Sequence, residues 1–280
     1  YDGLRTFLDR CEEFGEIRTI SGAEWELEIG ALTESTSELI PEPPALMFDE
    51  VKGYPKGFRV LSLPVASRVR TALALGLPTN LKSMELVREA SRRVKNAERV
   101  PPKEVETGPV MQNVMRDNEV DLLKFPAIRA HKGDGGRYIG TASLNIMKDP
   151  DSDWVNVGTY RNEVLDKNRL GVWMSPGKHG RLIVDKYMER GEKCPVIVVV
   201  GSDPLLFWSA CVEGIPYGQS ELDWVGGVRG EPVRTVAGPI TGLPIPAEAE
   251  IAFEGFIVPG EESVEGPYGE WTGYYASGTP

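Results

Sequence analysis

Cysteine is scarce in this sequence, and its three positions, Cys11, Cys194 and Cys211, lie far apart with no C-x-x-C spacing. That count and spacing exclude a disulfide framework and a zinc ribbon and suit a reducing cytoplasm. Positive charge is also short: 31 Lys and Arg against 42 Asp and Glu give a formal net charge of -11. Sequence-independent nucleic-acid binding, which needs basic residues to displace phosphate counterions, is therefore not expected. No apolar run approaches the ~20 residues of a membrane span, so a soluble protein is expected, with no membrane partner. Internal repeats, heptads, a G-x-G-x-x-G fingerprint and a P-loop are all missing, and G-D-G-G at 133–136 reads as a loop. No basic, apolar leader precedes the first helix, and a dense motif stands directly before the last residues, so the chain reads as a portion of a longer one.

A length of 280 residues favours two modest domains. Leu4, Phe7, Leu8, Cys11 and Phe14 recur at helical spacing and predict a helix over 3–15. A strand at 17–20, a helix at 25–35, buried strands at 45–48 and 58–63, and helices at 67–77 and 81–95 complete a small α/β layer. Pro101-Pro102 marks the domain boundary, giving units 1–102 and 103–280. Beyond it, β-prone runs at 111–115, 137–147, 155–163, 172–175, 196–200, 233–236 and 250–257 predict an antiparallel sheet or barrel. One helix, 178–190, interrupts them, with Leu182, Ile183 and Tyr187 on one side and His179 in its first turn.

Four polar constellations stand out on this apolar background: N-V-G-T-Y-R (156–161), P-G-K-H-G (176–180), S-E-L-D-W-V-G (220–226) and E-G-P-Y-G-E (265–270). Together they hold an amide, an imidazole, a guanidinium and three carboxylates, which suits a metal-bound anionic cofactor beside an acid catalyst. Each also has a plainer reading. Glu265 and Glu270 flank a Gly/Pro turn that either pairs two carboxylates, raising one pKa while a guanidinium holds the other ionised, or lies solvated. Asn156 and Arg161 are five apart, an interval that in a flat strand sends them to opposite faces, unless Gly158 marks a bulge. His179 is a metal or phosphate contact at a helix start, or a histidine held by a backbone carbonyl. Glu221 is a metal ligand, or part of a capping box begun by Ser220. His131 reads as solvated, and the cysteines as buried, inert thiols.

Taken together and in order, these motifs resemble the UbiD-type decarboxylases, which use prenylated FMN. The resemblance runs through G-G-R-Y (135–138), D-K-N-R-L-G (166–171) and V-G-S-D-P (200–204) as well, and so covers essentially the whole chain. It implies an N-terminal α/β domain followed by a split β-barrel flavin-binding domain, without the family's C-terminal oligomerisation domain. Asn156, His179 and Glu221 match the ligands of a divalent metal, Mn²⁺ or Mg²⁺, that clamps the cofactor phosphate. Arg161, Glu265 and Glu270 match the catalytic network, and Gly158, Thr159, Tyr160, Arg161, Lys178 and His179 the cofactor-binding set. Val157 and residues 210–213 match main chain that borders a monovalent-cation site, K⁺, in some members. The implied activity is reversible, non-oxidative decarboxylation of an aromatic, heteroaromatic or α,β-unsaturated acid through a covalent substrate–cofactor adduct, with Glu270 as proton donor. A flavin prenyltransferase would supply the cofactor, and a homodimer or higher oligomer is expected. Two rival readings are a non-catalytic flavin-binding or assembly subunit and an ordinary FMN-dependent oxidoreductase.

Overall fold

The computed structural model describes residues 1–212 and 214–276. Its first layer begins with α1 (Leu4–Glu13), whose helical spacing buries Leu4, Phe7 and Cys11 on one face. There follow β1 (Ile17–Ser21), α2 (Glu28–Leu39), β2 (Ala45–Asp49), β3 (Val60–Ser62), α3 (Arg68–Ala74) and α4 (Ser83–Asn96). β2 is the middle strand, parallel to β1 and antiparallel to β3, and only it is buried; β3 is shorter than predicted and half-buried. Arg70 is fully buried in this layer, satisfied by Glu16 at 2.6 Å and by the carbonyls of Pro43 at 2.6 Å and Leu63 at 3.0 Å.

After Pro101-Pro102 come β4 (Lys103–Glu104), β5 (Arg137–Gly140), β6 (Leu144–Lys148), β7 (Val155–Gly158), β8 (Arg161–Val164) and β9 (Leu170–Trp173). Next are α5 (His179–Glu189), β10 (Cys194–Val200), α6 (Pro204–Cys211), α7 (Glu221–Arg229), β11 (Arg234–Ala237), β12 (Pro244–Pro246) and β13 (Ile251–Ile257), with a final hairpin of β14 (Tyr268–Gly269) and β15 (Tyr275–Ala276). An antiparallel sheet has the order β13-β10-β6-β7, and a second runs β5-β8-β9. The β-prone run 111–115 forms no strand: a single 3₁₀ turn opened by Pro109, Pro109–Met111, ends on its first residue, and 112–115 is irregular.

β10 explains how the second region is held together. Its residues are apolar throughout because both faces are covered, unlike a strand with one wet side. Ile197 and Val199 pack with Leu205 and Leu206 of α6 and Leu222 and Val225 of α7. Val196 and Val198 pack on the other face with Ile183 and Val184 of α5. Burying each such side chain stabilises the fold by about 1.5–3 kcal/mol. Three helices thus cover this sheet where one was predicted. Leu182 of α5 turns outward, 38% exposed, and Val184 takes the buried place. Among the described residues no helix is long and apolar enough to cross a membrane.

Candidate active site

The run 155–163 is not one strand. It breaks at Thr159-Tyr160, so that Asn156 lies on β7 in the four-stranded sheet and Arg161 on β8 in the three-stranded one. The crossing is held by a buried polar network: Ser143 Oγ lies 2.7 Å from Asn162 Oδ1, Asn162 Nδ2 donates to Asn145 Oδ1 at 3.2 Å, and Thr159 Oγ1 donates to the Ser143 carbonyl at 2.8 Å. Tyr160 turns back under the crossing, where its hydroxyl accepts from the Gly180 amide at 3.0 Å. Gly158 and Gly180 leave the room for that ring, since a Cβ on either would stand 2.7 Å from the Tyr160 hydroxyl. Tyr160 therefore couples this crossing to the start of α5, where Lys178 is the N-cap residue and His179 the first helical one.

On the β7 side, Asn156 and Glu221 meet. Glu221 opens α7 directly after its cap Ser220, whose hydroxyl accepts from Leu222 N, so the capping role falls to Ser220 and leaves the Glu221 carboxylate free to turn inward. It accepts from Asn156 Nδ2 at 3.2 Å and from the Val157 amide at 2.7 Å. Burial pushes Glu221 up to about 7, with those two hydrogen bonds pulling the other way. Asn156 Oδ1 is buried and has no hydrogen-bond partner. His179 approaches from α5 with its ring edge-on to Trp154, two residues before Asn156, at 5.3 Å, and to Tyr217 at 5.6 Å. Burial, then the charge of Lys178, lowers its pKa, which keeps a ring lone pair available. Among the described residues no group of three or more His, Cys, Asp or Glu is placed to hold a metal. The donors on this side are mixed instead: a buried amide oxygen without a hydrogen-bond partner, a desolvated carboxylate that feels the charge of Arg99, and an imidazole packed edge-on to Trp154. A hard or borderline divalent ion fits those donors and would satisfy the orphaned oxygen.

On the β8 side, Arg161 grips both glutamates of the E-G-P-Y-G-E turn. Its Nε and Nη2 donate to Glu265 Oε1 and Oε2 at 2.7 and 2.8 Å, a two-point fork, and Nη1 donates to Glu270 Oε1 at 2.8 Å. Burial alone would lower Arg161, but Glu265 and Glu270 outweigh it and raise the guanidinium. The two carboxylates differ in access: the Glu265 side chain is 5% exposed and that of Glu270 46%. Glu265 also accepts from the Tyr138 hydroxyl at 2.9 Å, while Arg161 lies 4.8 Å over the Tyr268 ring. A cavity of about 1610 Å³ reaches this cluster at Glu265 and Trp173 and is lined elsewhere both by apolar residues such as Met174, Val198 and Phe253 and by charged ones such as Arg181, Asp185 and Glu254.

Three neighbours escaped the sequence reading. Tyr138, raised by burial and by its bond to Glu265, stays a hydroxyl donor. Glu163 is 7% exposed and raised by burial, the nearby Glu265 charge adding to it. Asp134 has a fully buried side chain. Glu163 had a readable signal, since it stands two residues from Arg161 and so on the same face of one strand. Two other readings are corrected. His131 is only partly solvated, its side chain 22% exposed: its Nδ1 is buried without a hydrogen bond, 3.6 Å from Asp134 Oδ1, and pressed against the main chain of Gly269, which is 138 residues distant and invisible to local pattern. Cys11 and Cys194 are buried as expected, but Cys211, at the end of α6, is exposed. Of residues 210–213, Glu213 lies outside the described residues.

Residues 103–280 match the sequence model of the UbiD family described as the 3-octaprenyl-4-hydroxybenzoate carboxy-lyase Rift-related domain, and residues 8–94 match the N-terminal domain of the same carboxy-lyase. The chain belongs to the UbiD family. Similar members include the phenolic acid decarboxylase of Streptomyces sp. (strain D7), 37% identical over 99% of this chain and 59% of that protein. The pyrrole-2-carboxylic acid decarboxylase of Pseudomonas aeruginosa is 34% identical over 97% of this chain and 55% of its own. Among solved structures, the closed form of Sedimentibacter hydroxybenzoicus vanillic acid decarboxylase superposes with a TM-score of 0.93 at 30% identity, covering 100% of this chain and 60% of that one. The UbiD-class enzyme HmfF of Pelotomaculum thermopropionicum in complex with FMN gives 0.87 at 30% identity, over 99% and 60%. An evolved dimeric form of HmfF in complex with prFMN gives 0.88 at 29%, over 100% and 63%. The mixed α/β fold of this UbiD chain is thus that of UbiD-class enzymes, and the chain spans 55–59% of the length of these two curated relatives.

Proposed function

We propose that this chain carries the cofactor and catalytic residues of a prenylated-FMN-dependent carboxy-lyase acting on an aromatic or heteroaromatic acid. The observation that carries this reading is the Arg161 fork, which holds a buried and a half-exposed carboxylate together on a strand adjoining the Asn156–Glu221 pair. A redox flavoenzyme has no need of that arrangement. Relatives named for phenolic, pyrrole-2-carboxylic and vanillic acid decarboxylation, and a structural neighbour in complex with prFMN, support it.

Asn156, His179 and Glu221 would hold a divalent ion, Mn²⁺ or Mg²⁺, against the cofactor phosphate, with Lys178 and the first turn of α5 on the same side. Gly158, Thr159 and Tyr160 would border the flavin, and a monovalent ion, K⁺, would sit near the main chain of Val157. The prenylated flavin supplies an electron sink for the carbon that loses CO₂. The protein supplies position and protons. Arg161 orients the substrate carboxylate and balances Glu265, whose fork to Arg161 sets the guanidinium plane. Glu270, the more accessible carboxylate, delivers the proton that replaces CO₂ and recovers it from solvent. Run in reverse at high CO₂, the same groups serve carboxylation. We further read residues 1–102 and 103–280 as separate domains, the assembly as a homo-oligomer in the cytoplasm, and a flavin prenyltransferase as the cofactor's source.

The test is CO₂ release from vanillate, 3,4-dihydroxybenzoate and pyrrole-2-carboxylate by protein produced together with a flavin prenyltransferase. Turnover of at least one acid is expected, lost in Glu270→Gln; no release from any of them, or full activity in the variant, contradicts the proposal.

A further inference from the structure

Asp134 and Glu163 are buried carboxylates that the chemistry above does not use, and both are aimed at main-chain N–H groups. Asp134 Oδ1 accepts from the Gly269 amide at 2.8 Å, and its Oδ2 from the His131 amide at 2.8 Å. Glu163 Oε2 accepts from the Gly266 amide at 3.1 Å. Between them, the Gly135 amide donates to the Pro267 carbonyl at 2.7 Å. The turn from Glu265 to Glu270 is therefore gripped at three points, Gly266, Pro267 and Gly269, all lying between its two glutamates. The fit is close enough to demand glycine on both sides: a Cβ on Gly135 would stand 2.1 Å from the Gly266 carbonyl oxygen, and one on Gly269 2.3 Å from His131 Nδ1.

We infer that Asp134 and Glu163 are positioning residues, a two-carboxylate clamp that registers Glu270 against Arg161 through the main chain of the loop; the inference rests on the decarboxylase reading. Burying a carboxyl group is costly unless it is hydrogen-bonded, and each of these two accepts a main-chain N–H of the turn. Two such groups spent on one six-residue turn fix it more firmly than backbone contacts would. The geometry also says what it is fixed to. Glu163 sits on β8 two residues from Arg161, and Asp134 leads into β5, which pairs with β8. The strand that carries the guanidinium thus also carries, directly or through its neighbour, both jaws of the clamp. A proton donor displaced by about 1 Å can lose on the order of 100-fold in rate without any loss of ligand contacts.

The experiment combines kinetics with amide hydrogen exchange on Asp134→Ala, Asp134→Asn and Glu163→Ala. On whichever of the three acids the wild type turns over, Asp134→Ala and Glu163→Ala are each expected to lower kcat by about 10- to 100-fold while KM and FMN affinity stay within about threefold. Asp134→Asn, which keeps one acceptor oxygen, should fall between wild type and Asp134→Ala. Exchange at Gly269 should quicken by at least about tenfold in Asp134→Ala while β10 stays protected. Unchanged kcat in folded variants, or unaltered exchange at Gly269, would overturn the clamp. If no acid is turned over even by wild type, the decarboxylase reading fails, and the exchange measurement alone still decides whether Asp134 holds the loop.

Discussion

Replacing Arg161 by Met separates the fork's electrostatics from its bulk. In the wild type the Glu265 carboxylate, 5% exposed, has two bonds from Arg161 and one from Tyr138. The substitution leaves the Tyr138 hydroxyl as its remaining donor among these. Stranding one partner of a buried ion pair costs about 3–5 kcal/mol, whereas the half-exposed Glu270 contact adds only about 0–1 kcal/mol. At roughly 2–4 °C per kcal/mol for a domain of this size, Tm should fall by roughly 6–24 °C. The decisive comparison is Arg161→Met with Glu265→Gln. Removing both charges eliminates the stranded carboxylate, so most of the lost stability should return even though every ionic contact is gone. Urea unfolding of the wild type, the two single variants and the double variant measures this as a coupling energy. A single-variant loss below about 1 kcal/mol, or a double variant no more stable than Arg161→Met, refutes the reasoning.

Glu221 makes the metal-free protein sensitive to pH: its folded value of about 7 lies above the ordinary 4.5, so the folded state holds a proton that the unfolded chain releases. The associated stability is complete below about pH 4.5 and lost as pH rises through about 7, some 3 kcal/mol in all, and Glu221→Gln should level the profile. Because an ion would hold the carboxylate ionised, Mn²⁺ should raise Tm more at about pH 8 than at about pH 5 if Asn156, His179 and Glu221 bind it; equal shifts would count against that ligand set. Tyr160→Phe removes the acceptor for the Gly180 amide and should cost about 1 kcal/mol in denaturant unfolding, with no change expected if that bond contributes nothing.

What was legible in the sequence, and what was not, divides along physical lines. The first layer's helices and strands were readable because each has its own period and punctuation, with boundaries displaced by a few residues. α6 was missed because P-L-L-F-W-S-A-C is apolar all round and shows no helical period. Its start was nevertheless marked: Asp203 caps Leu205 and Leu206, and Pro204 occupies the first turn. Ser220 and Glu221 looked like alternatives and proved complementary, one capping α7 and the other turning inward. The spacing of Asn156 and Arg161 was puzzling only for a single strand; the break at Thr159-Tyr160 puts them in different sheets, and the hydrogen bonds that set that break come from Ser143 and Asn145. Asp134 and His131 were beyond reach for the same reason, since their partner Gly269 lies 135 and 138 residues along the chain.

The most direct test of the central claim is the identity of the flavin that the protein holds. Absorbance and mass analysis of protein produced together with a flavin prenyltransferase should find prenylated FMN, lost when Asn156, His179 or Glu221 is changed to Ala. An unmodified FMN that NAD(P)H reduces, or no flavin at all, would contradict the account.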